Sequence, residues 1–242
     1  GRVEIGASAI REDTNGQDGK LYGLDAKVRL WPGTELSAEF ARTKGAGDGE
    51  AYRVELTHNA ETFSGRVYAF EQDESFGLDQ LNQGLAGARE VGAEARVRLD
   101  SHLEGLGLEA KTYRRESDRI DGTRDFGEIF ANWSQRDISL QAGIRHVTDS
   151  GIAGSGKGTS DQILLRGSYK LFEDRLTVRA AREQSLDGRN HNPDFPSRTV
   201  LGTDYRISDR LSVIASQEFV DGPEDSGSLT RMGFAGAMWE GG

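Results

Sequence analysis

Four histidines are the only side chains in this 242-residue sequence whose ordinary titration falls near neutral pH, and there is no cysteine. The absence of Cys removes thiol nucleophiles, Cys-ligated zinc and disulfide bridges from consideration. His58 and His102 fall in or beside short turn sequences, and His191 falls in a long polar one. His146 differs, because it ends an alternating apolar segment and has Asp149 three residues on. A histidine beside a carboxylate and a hydroxyl can serve as general base to a nucleophile. A lone histidine near a strand end is more often polar wall, so the sequence predicts no enzyme, no catalytic residue, no metal ligand and no cofactor. Gly154-Ser155-Gly156-Lys157-Gly158-Thr159 superficially evokes a phosphate loop. It lacks the spacing and the following helix that such a loop needs, and reads as a flexible tip.

The remaining polar chemistry is charge. Forty Asp and Glu stand against thirty Lys and Arg, for a net charge of -10, which argues against nucleic acid as a partner. The surplus acid concentrates in Gly-, Asn- and Ser-rich stretches: Asp13, Asp18, Asp48, Asp73, Glu74, Asp79, Asp118, Asp121, Asp149, Asp187, Asp194, Asp221, Glu224 and Asp225. Solvated charge keeps such stretches soluble. Oxygen-rich loops also suit Ca²⁺, although no calcium-motif spacing is present.

The elements that position these charges follow from period. Tyr22, Leu24, Ala26, Val28 and Leu30 alternate with Asp25, Lys27 and Arg29. Val91, Ala93, Ala95, Val97 and Leu99 alternate with Glu94, Arg96, Arg98 and Asp100, and Ile138, Leu140, Ala142 and Ile144 with Gln141 and Arg145. Period two is the signature of strands, and no long segment clusters its apolar residues at helical spacing. About fourteen strands emerge, over 2–12, 20–31, 34–43, 50–58, 62–72, 90–100, 105–115, 125–134, 137–147, 161–171, 175–184, 198–207, 210–220 and 228–239. No apolar run approaches the ~18 residues of a membrane helix, but a tilted strand crosses a bilayer in about 9–11 residues.

Short joins, such as Pro32-Gly33, Gln135-Arg136 and Ser208-Asp209, alternate with longer ones, such as 13–19, 44–49, 73–89 and 148–160. A soluble sandwich has no reason to sort its loops in this way, whereas a membrane barrel turns tightly on one side and loops widely on the other. The turn sequence Glu173-Asp174-Arg175-Leu176-Thr177-Val178 recurs as Ser208-Asp209-Arg210-Leu211-Ser212-Val213, a likeness of hairpins rather than a repeat fold. Within the longest loop, Phe76, Leu78, Leu81 and Leu85 are able to pack, either into a barrel or outside it.

A closed sheet of about fourteen strands encloses more space than side chains fill. The apolar row is therefore expected outward in lipid and the charged row inward in water, with every edge closed. The predicted fold is an all-β, antiparallel up-and-down transmembrane β-barrel, a single domain over 1–242, with short periplasmic turns and long extracellular loops. The predicted pore-lining residues are Arg53, Arg66, Glu94, Arg96, Arg98, Lys111, Arg145, Arg166, Lys170, Arg179 and Arg206. Acids and bases balance on that row, so a salt-bridged lining is one reading and a charge-biased eyelet another. Trp31, Trp133 and Trp239, with Tyr52, Tyr113, Tyr169, Tyr205 and Phe219, fall mostly near strand ends, where an interfacial girdle forms.

The stretch Leu201-Gly202-Thr203-Asp204-Tyr205-Arg206-Ile207-Ser208-Asp209-Arg210-Leu211, then Gln217-Glu218-Phe219 and the end Ala237-Met238-Trp239-Glu240-Gly241-Gly242, resembles the barrel regions of large proteobacterial outer-membrane surface proteins. The resemblance implies an integral barrel of the Gram-negative outer membrane and carries over no catalytic residue. With no Met in front and Glu-Gly-Gly after Trp239, the chain is expected to be a segment of a longer protein or an engineered piece. The function expected is passive diffusion of ions or small polar solutes through a charged lumen. A membrane anchor or export scaffold for a surface-exposed or adhesive region is the second reading, and a rim hydrolase built on His146 the third. Outer-membrane lipid and lipopolysaccharide are the expected partners, with divalent cations bridging loop carboxylates to its phosphates as an option. The chain is expected to be a monomer.

Overall fold

A computed structural model describes residues 2–14, 17–45, 48–77, 87–118, 121–151, 157–186, 192, 194–221 and 229–239. Fourteen strands account for most of them: β1 (Val3–Thr14), β2 (Gln17–Trp31), β3 (Thr34–Lys44), β4 (Gly49–Asn59), β5 (Phe63–Gln72), β6 (Ala88–Arg98), β7 (Leu106–Ser117), β8 (Gly122–Gln135), β9 (Ile138–Ser150), β10 (Lys157–Leu171), β11 (Leu176–Ser185), β12 (Arg198–Ser208), β13 (Leu211–Asp221) and β14 (Leu229–Trp239). They form one sheet in which spatial order is sequence order. The chain divides into two compact units: Gly1–Arg96 with Lys111–Phe126 and Asp149–Gly154, and Val97–Ala110 with Gly127–Thr148 and Ser155–Gly242.

In the first unit the antiparallel register lines apolar residues up across five strands. Val3, Val28, Leu36, Leu56 and Val67 are successive partners, and Ile5, Ala26, Ala38, Val54 and Ala69 form the next rank. One residue over, on the opposite face, run Glu4, Lys27, Ser37, Glu55 and Tyr68, then Gly6, Asp25, Glu39, Arg53 and Phe70. A slip of one residue would exchange the two faces entirely, so the alternation itself fixes the register. The second unit repeats the scheme: Leu171, Leu176, Tyr205, Val213 and Ala237 are aligned, while Lys170, Thr177, Asp204 and Ile214 lie on the other face.

Nothing among the described residues covers the apolar face. Among the described residues the buried hydrophobic side chains are Tyr68, Ala88, Phe130, Val147 and Leu164, whereas Ile5 is 79% and Leu24 59% exposed. Leaving so many large apolar side chains in water costs on the order of tens of kcal/mol against burying them. Such a face is stable only in an apolar solvent.

The strands sit where the alternation places them, but their loop ends run further. β1 and β2 continue in register to Asp13↔Asp18 and Thr14↔Gln17, leaving two residues between them instead of the predicted loop 13–19. β10 begins at Lys157, so the end of the Gly154–Thr159 stretch is strand, and 154–156 lie outside the described residues. The extra length is polar, so hydropathy alternation fades there while backbone pairing persists. The turns at the other ends are tight. Gly33 follows Trp31-Pro32 at φ +77°, and a Cβ there would stand 2.2 Å from the Asn59 carbonyl oxygen.

The charged face is not uniformly charged. On β14, Met232, Phe234 and Met238 pair with Glu218, Ser216 and Ser212 and therefore share their face. Tyr113 also belongs there and not to an outward girdle, since its ring stacks on Phe126 at 4.8 Å with Lys111 and Arg115 beside it.

Candidate functional site

Within each strand, the charged residues predicted to line a pore fall on the polar side of the alternation. Parity along β4–β7 places Arg53, Arg66, Glu94, Arg96, Arg98 and Lys111 on the face opposite Val54, Val67 and Val91. Parity along β9–β12 does the same for Arg145, Arg166, Lys170, Arg179 and Arg206. The structure gathers six of these eleven, Arg53, Arg66, Glu94, Lys111, Arg145 and Arg166, into two clusters, one in each unit. Of the rest, Arg98 pairs with Asp100 beside a turn, Lys170 with Asp174, and Arg179 with Asp204.

In the first unit the Glu94 carboxylate stands 2.9 Å from Arg66 and 3.4 Å from Lys111, and Arg53 and Arg66 reach Glu55 at 2.6 and 3.6 Å. Beyond them Tyr68 donates to Glu90 at 2.7 Å, and Arg115 Nε donates to the other oxygen at 2.6 Å. These side chains border a cavity of about 480 Å³ that Phe70, Gln72 and Phe76 also line. Phe76 comes from the segment after β5, and that segment lies against the charged face. The Gly77 N–H donates to the buried Thr43 hydroxyl at 3.1 Å, and Ser75 Oγ donates to the Asp48 carbonyl at 2.5 Å. Leu78, Leu81 and Leu85 lie outside the described residues.

In the second unit, Glu183 is the centre. Its buried carboxylate receives Arg198 at 3.0 Å, Arg166 at 3.3 Å and Arg145 at 3.5 Å. Glu128 binds Arg145 from the other side at 3.2 Å, and Glu218 approaches Arg198 at 3.7 Å. Three arginines and three glutamates thus form one ladder across β8–β13. Here too a loop segment reaches the charged face. Gln162 Nε2 donates to the Phe195 carbonyl at 2.8 Å, and the Arg145 guanidinium lies 5.5 Å from the Phe195 ring centre.

Sequence reading missed Arg198, Arg115 and the pair Arg124–Asp149. Their parity was visible, but each sits at a strand end where alternation gives way to polar sequence. Asp149 corrects two expectations together. It is a fully buried strand residue, held by Arg124 Nε and Nη2 at 2.6 and 2.7 Å, and so neither a solvated loop acid nor a partner of His146. His146 points from the apolar row and meets Asp161 instead, its Nδ1 standing 2.6 Å from Oδ1. His58 takes Thr34 at 2.6 Å beside a tight turn, His102 lies in the β6–β7 connection, and His191 is outside the described residues. At the loop end of β1–β2, Arg11 Nε donates to Asp18 at 2.8 Å. Among the described residues no group of three His, Asp or Glu side chains converges as a metal site.

No protein-family model matches the chain, and no curated protein matches it in sequence. Solved structures do match it in fold. OmpT, an outer membrane protein of Vibrio cholerae, superposes with a TM-score of 0.50 at 12% identity, over 98% of this chain and 95% of that one. An anion-selective porin from Comamonas acidovorans gives 0.50 at 9% identity, over 96% and 94%. A chain of the FpvAI–pyocin S2 complex gives 0.52 at 17% identity, over 92% of this chain but 40% of that one. At these identities the likeness is one of fold, and it agrees with fourteen up-and-down strands carrying an uncovered apolar face. The chain is an all-β, antiparallel up-and-down sheet of fourteen strands, with the fold of the β-barrels found in the Gram-negative outer membrane.

Proposed function

We infer that this single-domain barrel is a water-filled channel through which ions and small polar solutes diffuse passively. The observation that carries the reading is the segregation of the sheet's two faces. One presents apolar side chains that are exposed among the described residues, and the other presents Arg53, Arg66, Glu94, Arg96, Arg98, Lys111, Arg145, Arg166, Lys170, Arg179 and Arg206. Fourteen strands enclose more volume than side chains fill, and a charged wall is stable only if water reaches it. Alternating acids and bases would then give a solute a ladder of weak sites, which favours entry without trapping. Lipid and lipopolysaccharide would be the solvent of the outer face, with the chain acting as a monomer.

Liposome swelling with the refolded chain tests this reading. Sugars below a size limit should enter and larger ones should not. A barrel that inserts and admits none supports the second reading, an anchor for a surface-exposed region. That alternative draws on the Phe76 and Phe195 segments, which lie against the charged face.

A further inference from the structure

On the apolar face, away from both charged clusters, three side chains stand in hydrogen-bond sequence. His146 follows Ile144 along the outward row of β9, and Asp161 precedes Ile163 along that of β10. His146 Nδ1 lies 2.6 Å from Asp161 Oδ1, and Nε2 lies 3.2 Å from the hydroxyl of Thr148, two residues along the same row. An ionised carboxylate can only accept, so Nδ1 carries the proton and donates to Asp161. In the neutral ring Nε2 is then the acceptor that faces Thr148. Carboxylate, imidazole and hydroxyl thus follow the order and polarity that make a hydroxyl nucleophilic. The histidine and the aspartate are both open to the surroundings, at 58% and 40% side-chain exposure.

Position selects the substrate. Below the triad the outward rows continue as Ile144, Ile163 and Leu165, all exposed. An acyl chain lying along those side chains brings the ester at its polar end to the level of Thr148. A water-soluble substrate has no reason to seek that place.

We propose that Thr148, His146 and Asp161 form a hydrolytic site for the carboxylic esters of membrane lipids, a function separate from passage through the barrel. Thr148 Oγ1 bonds to the acyl carbon and its proton passes to His146 Nε2. The ester C–O bond then breaks, and the same proton leaves with the alcohol. Water next attacks the acyl-threonine, gives a proton to Nε2, releases the fatty acid and restores the Thr148 hydroxyl. Asp161 is a positioning residue that holds the tautomer and steadies the imidazolium.

The test is fatty-acid release by the refolded full chain in mixed micelles of dodecyl maltoside and dioctanoylphosphatidylcholine. Thr148→Val keeps the side-chain shape without the hydroxyl, and should lower release at least about 100-fold, as should His146→Ala. Thr148→Ser should retain turnover, and Asp161→Asn should lower kcat with KM unchanged. Acid quenching should trap an acyl group on the Thr148 peptide by mass spectrometry, with strand-rich circular dichroism reporting that each variant is folded. Release by the unaltered chain no faster than by a folded Thr148→Val chain would overturn the proposal. A Thr148 peptide free of acyl mass during turnover would overturn it too.

Discussion

Glu183 on β11 and Arg198 on β12 are register partners, and their carboxylate and guanidinium meet at 3.0 Å. That pair anchors a ladder in which one buried carboxylate serves three arginines, because Arg145 and Arg166 approach the same two oxygens. Cross-strand charge pairs of this kind brace the charged face beside the buried apolar side chains that share it, such as Leu164, the register partner of Glu183.

Replacing Glu183 by Gln leaves three guanidiniums with one acceptor fewer. The expected loss is about 1–3 kcal/mol, since the exposed arms of Arg166 and Arg198 recover water. The urea midpoint of the refolded protein checks it. In a conducting barrel the same variant should shift ion preference toward anions, read as a reversal potential in a salt gradient.

The assignment of faces has its own test. Val54 and Lys27 lie on opposite faces of neighbouring parts of one sheet. Val54→Lys places a charge among Ala38, Ala69 and their neighbours, and should cost about 2–4 kcal/mol of folding free energy in bilayers if that face meets lipid near midplane. Lys27→Val should cost far less. Equilibrium folding titrations into vesicles measure both, and equal costs would contradict the outward apolar row.

Gly33 makes a local prediction. At φ +77°, with the Asn59 carbonyl 2.2 Å from where a Cβ would be, Gly33→Ala should destabilise by about 1–3 kcal/mol. The measurement is the unfolding midpoint. A change within 0.5 kcal/mol, roughly the scatter of ordinary surface substitutions, would count against the turn geometry.

The start of the longest loop lies on the charged face through Gly77 and Thr43, with Phe76 beside the Arg53, Arg66 and Lys111 cavity. Deleting residues 76–86 should therefore raise single-channel conductance. Unchanged conductance would place the segment outside the conducting path.

The strands were legible because a two-residue period over some ten positions is hard to mistake, and it also reveals which charges share a face. Arg166 and Glu183 needed only parity. What alternation does not carry is where a strand stops once both faces are polar, so 13–19 read as loop although Asp13 and Asp18 are paired. Nor does it carry contacts between strands. His146 has Asp149 three residues away in sequence, but those residues point to opposite faces, and the partner it meets is Asp161 on the next strand. The inward lie of Phe76 and Phe195 was equally hidden, since a loop's direction depends on side chains such as Thr43 and Gln162 that are distant in sequence.

Conductance of the refolded chain in planar lipid bilayers, compared with that of Arg166→Glu, tests the central claim most directly. A channel lined by the charged row gives stable steps, and the substitution moves its reversal potential toward cation preference. Insertion of a strand-rich protein that passes no current, or steps whose selectivity ignores Arg166→Glu, would contradict it.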